Sequence, residues 1–279
     1  MTDSQNDKMA RILAELGKLV FMPLFLKPAW DPFPRHAQSS VEALKLFLNG
    51  YAFEHAGRPP QFALNAVKAL ENLISDGNED SLSSAGFSEK LWDKFCELMN
   101  GRGTFRKGNP LNPERSAHLV DAVTLCQDLI DDGQNLYLFA SRAVENNRLR
   151  DAHGTLQRIR GIGPKIASLF LRDVAMVVNV REPLLADREL LQPIDVWLKR
   201  TTEALTGTSV KAARELVRLA DEADCSALWL NAGSWYFASK IALTETKLAE
   251  CLQSPDALKR SIAEHRNRVC EECKLLGTE

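Results

Sequence analysis

The chain is expected to be all-α. Three observations point that way: apolar residues recur at three- and four-residue spacing along almost its whole length, the segments so marked are separated by Gly, Pro, Asn and Ser, and no stretch alternates as a half-buried strand does. With 279 residues, 45% of them apolar and 26% charged, the chain can bury a full core and divides naturally into two helical lobes.

The first helix is expected over 8–19, followed by an irregular Pro-rich stretch from Pro23 to Pro34 that carries Trp30 and Phe33. Residues 40–55 form the next, with Leu44, Phe47, Leu48 and Tyr51 on one side. Segments 63–74 and 88–99 are amphipathic in the same way, through Ala66, Val67, Leu70 and Leu73 and through Leu91, Trp92, Phe95 and Leu98. The loop 100–114 is rich in turn residues and sets Arg102, Arg106 and Lys107 around Phe105, a basic turn that either touches nucleic acid or is simply solvated. Helices then follow at 116–130 and 135–146. After the central motif described next, 178–191 stays unassigned, and helices over 194–202, 209–220, 226–243 and 255–275 complete the set.

That motif is LQRIRGIGPKIASLFLRD, Leu156 to Asp173. Gly161 and Gly163 supply backbone freedom at a sharp reversal, and Pro164 suits the first position of the following helix. Ile166, Ala167, Phe170, Val174 and Val177 fall on one stripe of that helix, so this side packs inward while the start stays open. Unpaired N–H groups and the positive end of the helix dipole make such a start a seat for phosphate.

Charge supports the same place. The formal balance is −2, which argues against a chain that coats nucleic acid non-specifically. Between Arg142 and Arg172, however, seven cations (142, 148, 150, 158, 160, 165 and 172) face two acids, Glu145 and Asp151, a local +5. A patch for phosphates is one reading of this, a solvated helix face the other. The six cysteines are not spaced as a disulfide framework, which fits a reducing cytoplasm. Cys270 and Cys273 form a CxxC with Cys251 nineteen positions earlier, but no fourth ligand stands at a useful spacing, so neither a metal nor a cofactor is expected. No apolar run is long enough to cross a membrane.

Thirty residues beyond Lys165, Asp195 follows Pro193 and Ile194 and opens a helix bearing Val196, Trp197 and Leu198. Alone, this is an N-cap. Together, Ile159-Arg160-Gly161-Ile162-Gly163-Pro164-Lys165-Ile166-Ala167 and Pro193-Ile194-Asp195-Val196 resemble the helix-hairpin-helix base-excision DNA glycosylase superfamily (HhH-GPD), including its endonuclease III and oxoguanine DNA glycosylase branches. Arg160 stands where that family usually has proline, and Trp197 where it often has histidine. The longer Lys-to-Asp interval suggests an insertion between Asn179 and Leu191 and is similar to that of archaeal oxoguanine glycosylases.

The resemblance is sharp over about forty-five residues and implies the following. Two helical lobes flank a DNA-binding cleft: a middle lobe over 60–159, and a second made of 1–59 plus 160–279. Lys165 corresponds to the nucleophile of members that also cut the backbone, and Asp195 to their shared catalytic aspartate. Gly161, Ile162, Gly163 and Arg160 meet the DNA backbone. Asn49, Tyr51, Trp197 and Trp30 are candidates for plugging the duplex or holding an everted base. The expected activity is excision of a damaged base, an oxidised purine such as 8-oxoguanine, with AP lyase activity through a Lys165 Schiff base. The partner is damaged DNA, the protein a monomer, and its location cytoplasmic or nucleoid-associated. The FeS loop of some members needs four close cysteines, which this chain lacks. Two other readings stay open: a monofunctional alkylpurine-type glycosylase, and a non-catalytic helix-hairpin-helix DNA-binding protein.

Overall fold

The computed structural model describes residues 4–26, 37–53, 60–74, 81–99 and 118–275, with only the backbone at 118 and 268–275. Among these residues every regular element is helical and no strand occurs, as expected of an all-α chain. The chain forms two compact units, one comprising Met1–Lys27, Glu182–Leu184 and Leu191–Glu279, the other Pro28–Arg181 and Leu185–Leu190.

The unit built from both chain ends begins with α1 (Gln5–Leu16). Ser4 starts it with a reciprocal cap: its hydroxyl accepts from the Asp7 N–H at 3.1 Å, and Asp7 Oδ2 accepts from the Ser4 N–H at 2.8 Å. The Asp7 carboxyl is held below its ordinary range by those bonds to Ser4. Gly17–Leu26 continues from α1 in wider π-type turns that contain Pro23, and the rest of the stretch expected to be irregular lies outside the described residues. Three later helices are α9 (Val196–Thr206), α10 (Ala212–Glu222) and α11 (Ala227–Tyr236). After π-type turns over Phe237–Ala242 come α12 (Glu245–Cys251) and α13 (Pro255–Leu275).

Helices α1 and α11 cross backbone to backbone. A Cβ on Gly233 would lie 1.8 Å from the Leu13 carbonyl oxygen, and one on Gly17 would lie 2.3 Å from that of Trp229. Around this crossing Met9, Leu13, Leu198, Leu216, Leu230 and Phe237 form the core. Glu182, in a short 3₁₀ turn, is buried and reaches the start of α11, where its Oε2 accepts from the Ser226 hydroxyl at 2.7 Å.

The middle unit contains α2 (Ser40–Phe47), a π-type turn over Leu48–Ala52, α3 (Gln61–Leu73) and α4 (Phe87–Leu98). It continues with α5 (His118–Asp131), α6 (Leu136–Glu145), α7 (Leu149–Leu156) and α8 (Pro164–Val177). The sequence reading set this lobe at 60–159, but α2 and α8 both belong to it. Aromatic packing is the reason: Phe170 of α8 meets Phe47 at 5.2 Å and Tyr51 at 5.0 Å between ring centroids, edge to face.

Candidate functional site

Four features build the turn between α7 and α8. Helix α7 ends at Leu156, earlier than Ile159, which instead sits buried in the turn. The Ile162 N–H donates to the Ile159 carbonyl at 3.0 Å, closing a four-residue reversal. Gly161 takes φ +87° inside it, a conformation that a side chain at that position would strain. Gly163 then stands extended as the N-cap of α8, with nothing within 4 Å of the position a Cβ would occupy. A ligand can therefore approach the Gly163 backbone closely, next to the first turn of a fourteen-residue helix.

Lys165 is exposed on that first turn, while Ile162 and Ile166 on either side of it are buried and hold the turn to the unit. His153 braces the turn from within. The residue is 7% exposed, with Nε2 3.3 Å from the Pro164 carbonyl and 3.2 Å from the Ser168 hydroxyl, and Nδ1 2.9 Å from the Gln157 amide nitrogen. The partners set the tautomer: Nε2 carries the proton toward the Pro164 carbonyl, and Nδ1 accepts from Gln157. Burial holds this imidazole below its ordinary pKa, with the Pro164 carbonyl opposing in part.

Arg160, expected to contact the DNA backbone, has a partner within the protein. Its guanidinium is committed to Asp121 of α5, Nε to Oδ2 and Nη2 to Oδ1, both at 2.8 Å, and its peptide N–H donates to the same Oδ2 at 2.9 Å. Beside this clamp a groove of about 340 Å³ is lined by Thr124, Leu125, Asp128, Thr155 and Arg158. The local charge is smaller than a count of residues suggests. Arg172 is buried against Asp173 at 2.7 Å, and Arg150 pairs with Asp187. Arg142, Arg148, Arg158 and Lys165 stay exposed to solvent.

The segment after α8 is pinned to the middle unit through the same region. Arg150 Nε donates to Asp187 Oδ2 at 3.2 Å, and the Ala186 N–H donates to Asn147 Oδ1 at 2.8 Å. The Arg150 guanidinium holds the Asp187 carboxyl below the usual carboxylate range. Both Asn147 and Asp187 take positive φ, at 57° and 53°, a region that short polar side chains tolerate.

Asp195 belongs to the other unit. It is half-buried and caps α9, its Oδ1 accepting from the Leu198 N–H at 2.9 Å. Trp197, two residues on, is half-buried with the Arg200 guanidinium 5.4 Å from its ring centre.

The residues expected to plug the duplex part company. Asn49 is exposed on the Leu48–Ala52 turn. Tyr51 is 3% exposed, and its hydroxyl donates to Asp173 Oδ2 at 2.9 Å, so it is a core residue and not a wedge. Burial pushes the Asp173 carboxyl up, with Arg172 and Tyr51 pulling the other way. Trp30, Phe33, the basic loop 100–114 and the thiols of Cys270 and Cys273 lie outside what the structure describes. Among the described residues no group of three or more His, Cys, Asp or Glu is arranged to hold a metal ion. No helix there is long and apolar enough to cross a membrane.

Sequence reasoning missed Asp121 and His153. Asp121 lies 39 residues before its partner, and no local pattern could have paired them. His153 had a signal: it falls between Leu149, Ala152 and Leu156 on the inward face of α7.

No family model matches the chain, and no solved structure matches it. It is similar to an uncharacterized protein of Methanocaldococcus jannaschii, MJECL21, at 28% identity over 72% of this chain and 49% of that one. The chain thus spans about half the length of this curated relative.

Proposed function

We propose that this protein is a DNA glycosylase that removes a damaged base, an oxidised purine of the 8-oxoguanine type, and that it carries AP lyase activity on Lys165. The observation that supports this most is an exposed amine in the first turn of α8, beside a glycine turn whose backbone is open to a phosphate. In this reading the turn grips the DNA backbone through N–H groups, and the everted nucleotide presents its sugar to Lys165. The Nζ lone pair forms a bond to C1′ as the bond from C1′ to the base nitrogen breaks, and the base leaves with that electron pair and takes up a proton. Loss of the amine proton and opening of the sugar ring give the Schiff base, from which β-elimination expels the 3′ phosphate. The resemblance assigns Asp195 the role of opposing the positive charge that builds on the sugar.

Asp195→Asn is a discriminating test, because asparagine caps a helix as well as aspartate does while removing the charge. On duplexes carrying 8-oxoguanine, other oxidised purines or alkylpurines, wild-type protein should release the base and nick the strand on the oxidised set. Asp195→Asn should be slower by about a hundredfold or more, the usual scale for an electrostatic catalytic group. Excision confined to alkylpurines would favour the monofunctional reading. The capping bond from Leu198 N–H to Asp195 favours the second reading, a non-catalytic DNA-binding module, which holds if no lesion is excised and the variant is indistinguishable.

A further inference from the structure

The turn that the proposed function relies on is held from outside itself. Asp121 stands in the first turn of α5, where the helix dipole favours a carboxylate, and it takes three hydrogen bonds from Arg160: one from the peptide N–H and two from the guanidinium. Arg160 is the residue just before Gly161, inside the reversal closed by Ile162 N–H and the Ile159 carbonyl. Anchoring its peptide N–H and guanidinium together restrains the backbone that leads into Gly161.

We propose, building on the reading above, that Asp121 is the positioning residue of the phosphate-binding turn. It draws the Arg160 peptide and guanidinium toward α5, so that phosphate is met by the Gly161–Lys165 stretch and not by Arg160. Three observations support this. The Arg160 side chain is 65% exposed yet keeps both bonds to a carboxylate that is itself only 21% exposed. The guanidinium neutralises Asp121, and an incoming phosphate meets a paired acid in place of a bare negative charge. Open space lies over Gly163, further along the turn from the clamp.

This assignment runs against simple charge counting, and the two give opposite results. Removing an acid from a DNA-binding face ordinarily tightens binding; removing the acid that shapes the turn weakens it. The full chain would be titrated with a fluorescently labelled duplex carrying a central abasic-site analogue, at salt concentrations from about 50 to 200 mM. Asp121→Asn should bind about tenfold more weakly, the scale of one lost charge-assisted hydrogen bond, with the same dependence of log affinity on log salt as wild type. Asp121→Glu, which keeps the carboxylate, should recover most of that loss. Arg160→Ala should also leave the salt slope unchanged, since its guanidinium makes no phosphate contact.

Asp121→Asn that binds as well as wild type, or more tightly with a slope steeper by about one, would overturn the assignment and make Asp121 a competitor for Arg160. A slope shallower by about one in Arg160→Ala would do the same, and this arm decides the matter should Asp121→Asn melt early. Wild-type protein that binds no duplex at all would remove the proposed function together with this inference, an outcome distinct from the others.

Discussion

Tyr51 shows how much one hydroxyl does in the middle unit. It donates to Asp173, whose other oxygen takes two hydrogen bonds from Arg172, and all three side chains are buried. Tyr51→Phe keeps the ring packing against Phe47 and Phe170 but leaves the carboxylate short of a donor. The expected cost is about 1–3 kcal/mol, measured by urea unfolding. The sequence already held this answer, since Tyr51 falls on the same helical stripe as Leu44, Phe47 and Leu48. The resemblance to a glycosylase pointed the other way, and packing decided it. Asp195 is the opposite case: aspartate after proline and before an apolar helical stripe reads as an N-cap, and it is one. Arg160 was legible as a cation but not as a committed one, because its acid comes from a different helix.

At the scale of elements, the helices were legible and their junctions were not. Periodicity marks α1 and α10 because each buries one face. It does not register the wider turns over Gly17–Leu26, Leu48–Ala52 and Phe237–Ala242, where side chains rotate away from the 3.6-residue pattern. Nor does it show which helices cross closely. Gly233 is the clearest instance, as its neighbour is the Leu13 carbonyl, a backbone atom that no rotamer change can move aside. Gly233→Ala should separate α1 from α11 and destabilise the protein by about 3 kcal/mol or more, at the upper end of overpacking costs. Alanine at Gly50, where nothing lies within 4 Å of the added carbon, should be close to neutral by comparison. Thermal unfolding of the two variants side by side checks the contrast.

For the whole molecule, the division into units does not follow chain order, since one unit draws on both chain ends. The 178–191 segment was opaque to sequence because its structure comes from long-range bonds, Arg150 with Asp187 and Asn147 with Ala186. Global stability should carry the signature of His153. Its folded pKa lies below the ordinary 6.5, so the unfolded chain binds the extra proton first as pH falls. Stability is therefore fully present above about pH 6.5 and declines as pH drops toward 5, before most carboxylates titrate. His153→Gln should flatten that decline; an unchanged slope would show that the histidine is not the group responsible.

The proposed chemistry centres on one amine, that of Lys165. Incubating the protein with an 8-oxoguanine duplex in the presence of borohydride, which reduces a Schiff base to a stable amine, tests it in a single gel. A covalent protein–DNA adduct with the wild type, lost in Lys165→Gln while duplex binding persists, is the result expected. No adduct on any damaged duplex, or an adduct undiminished in Lys165→Gln, would contradict the assignment of Lys165 as the nucleophile.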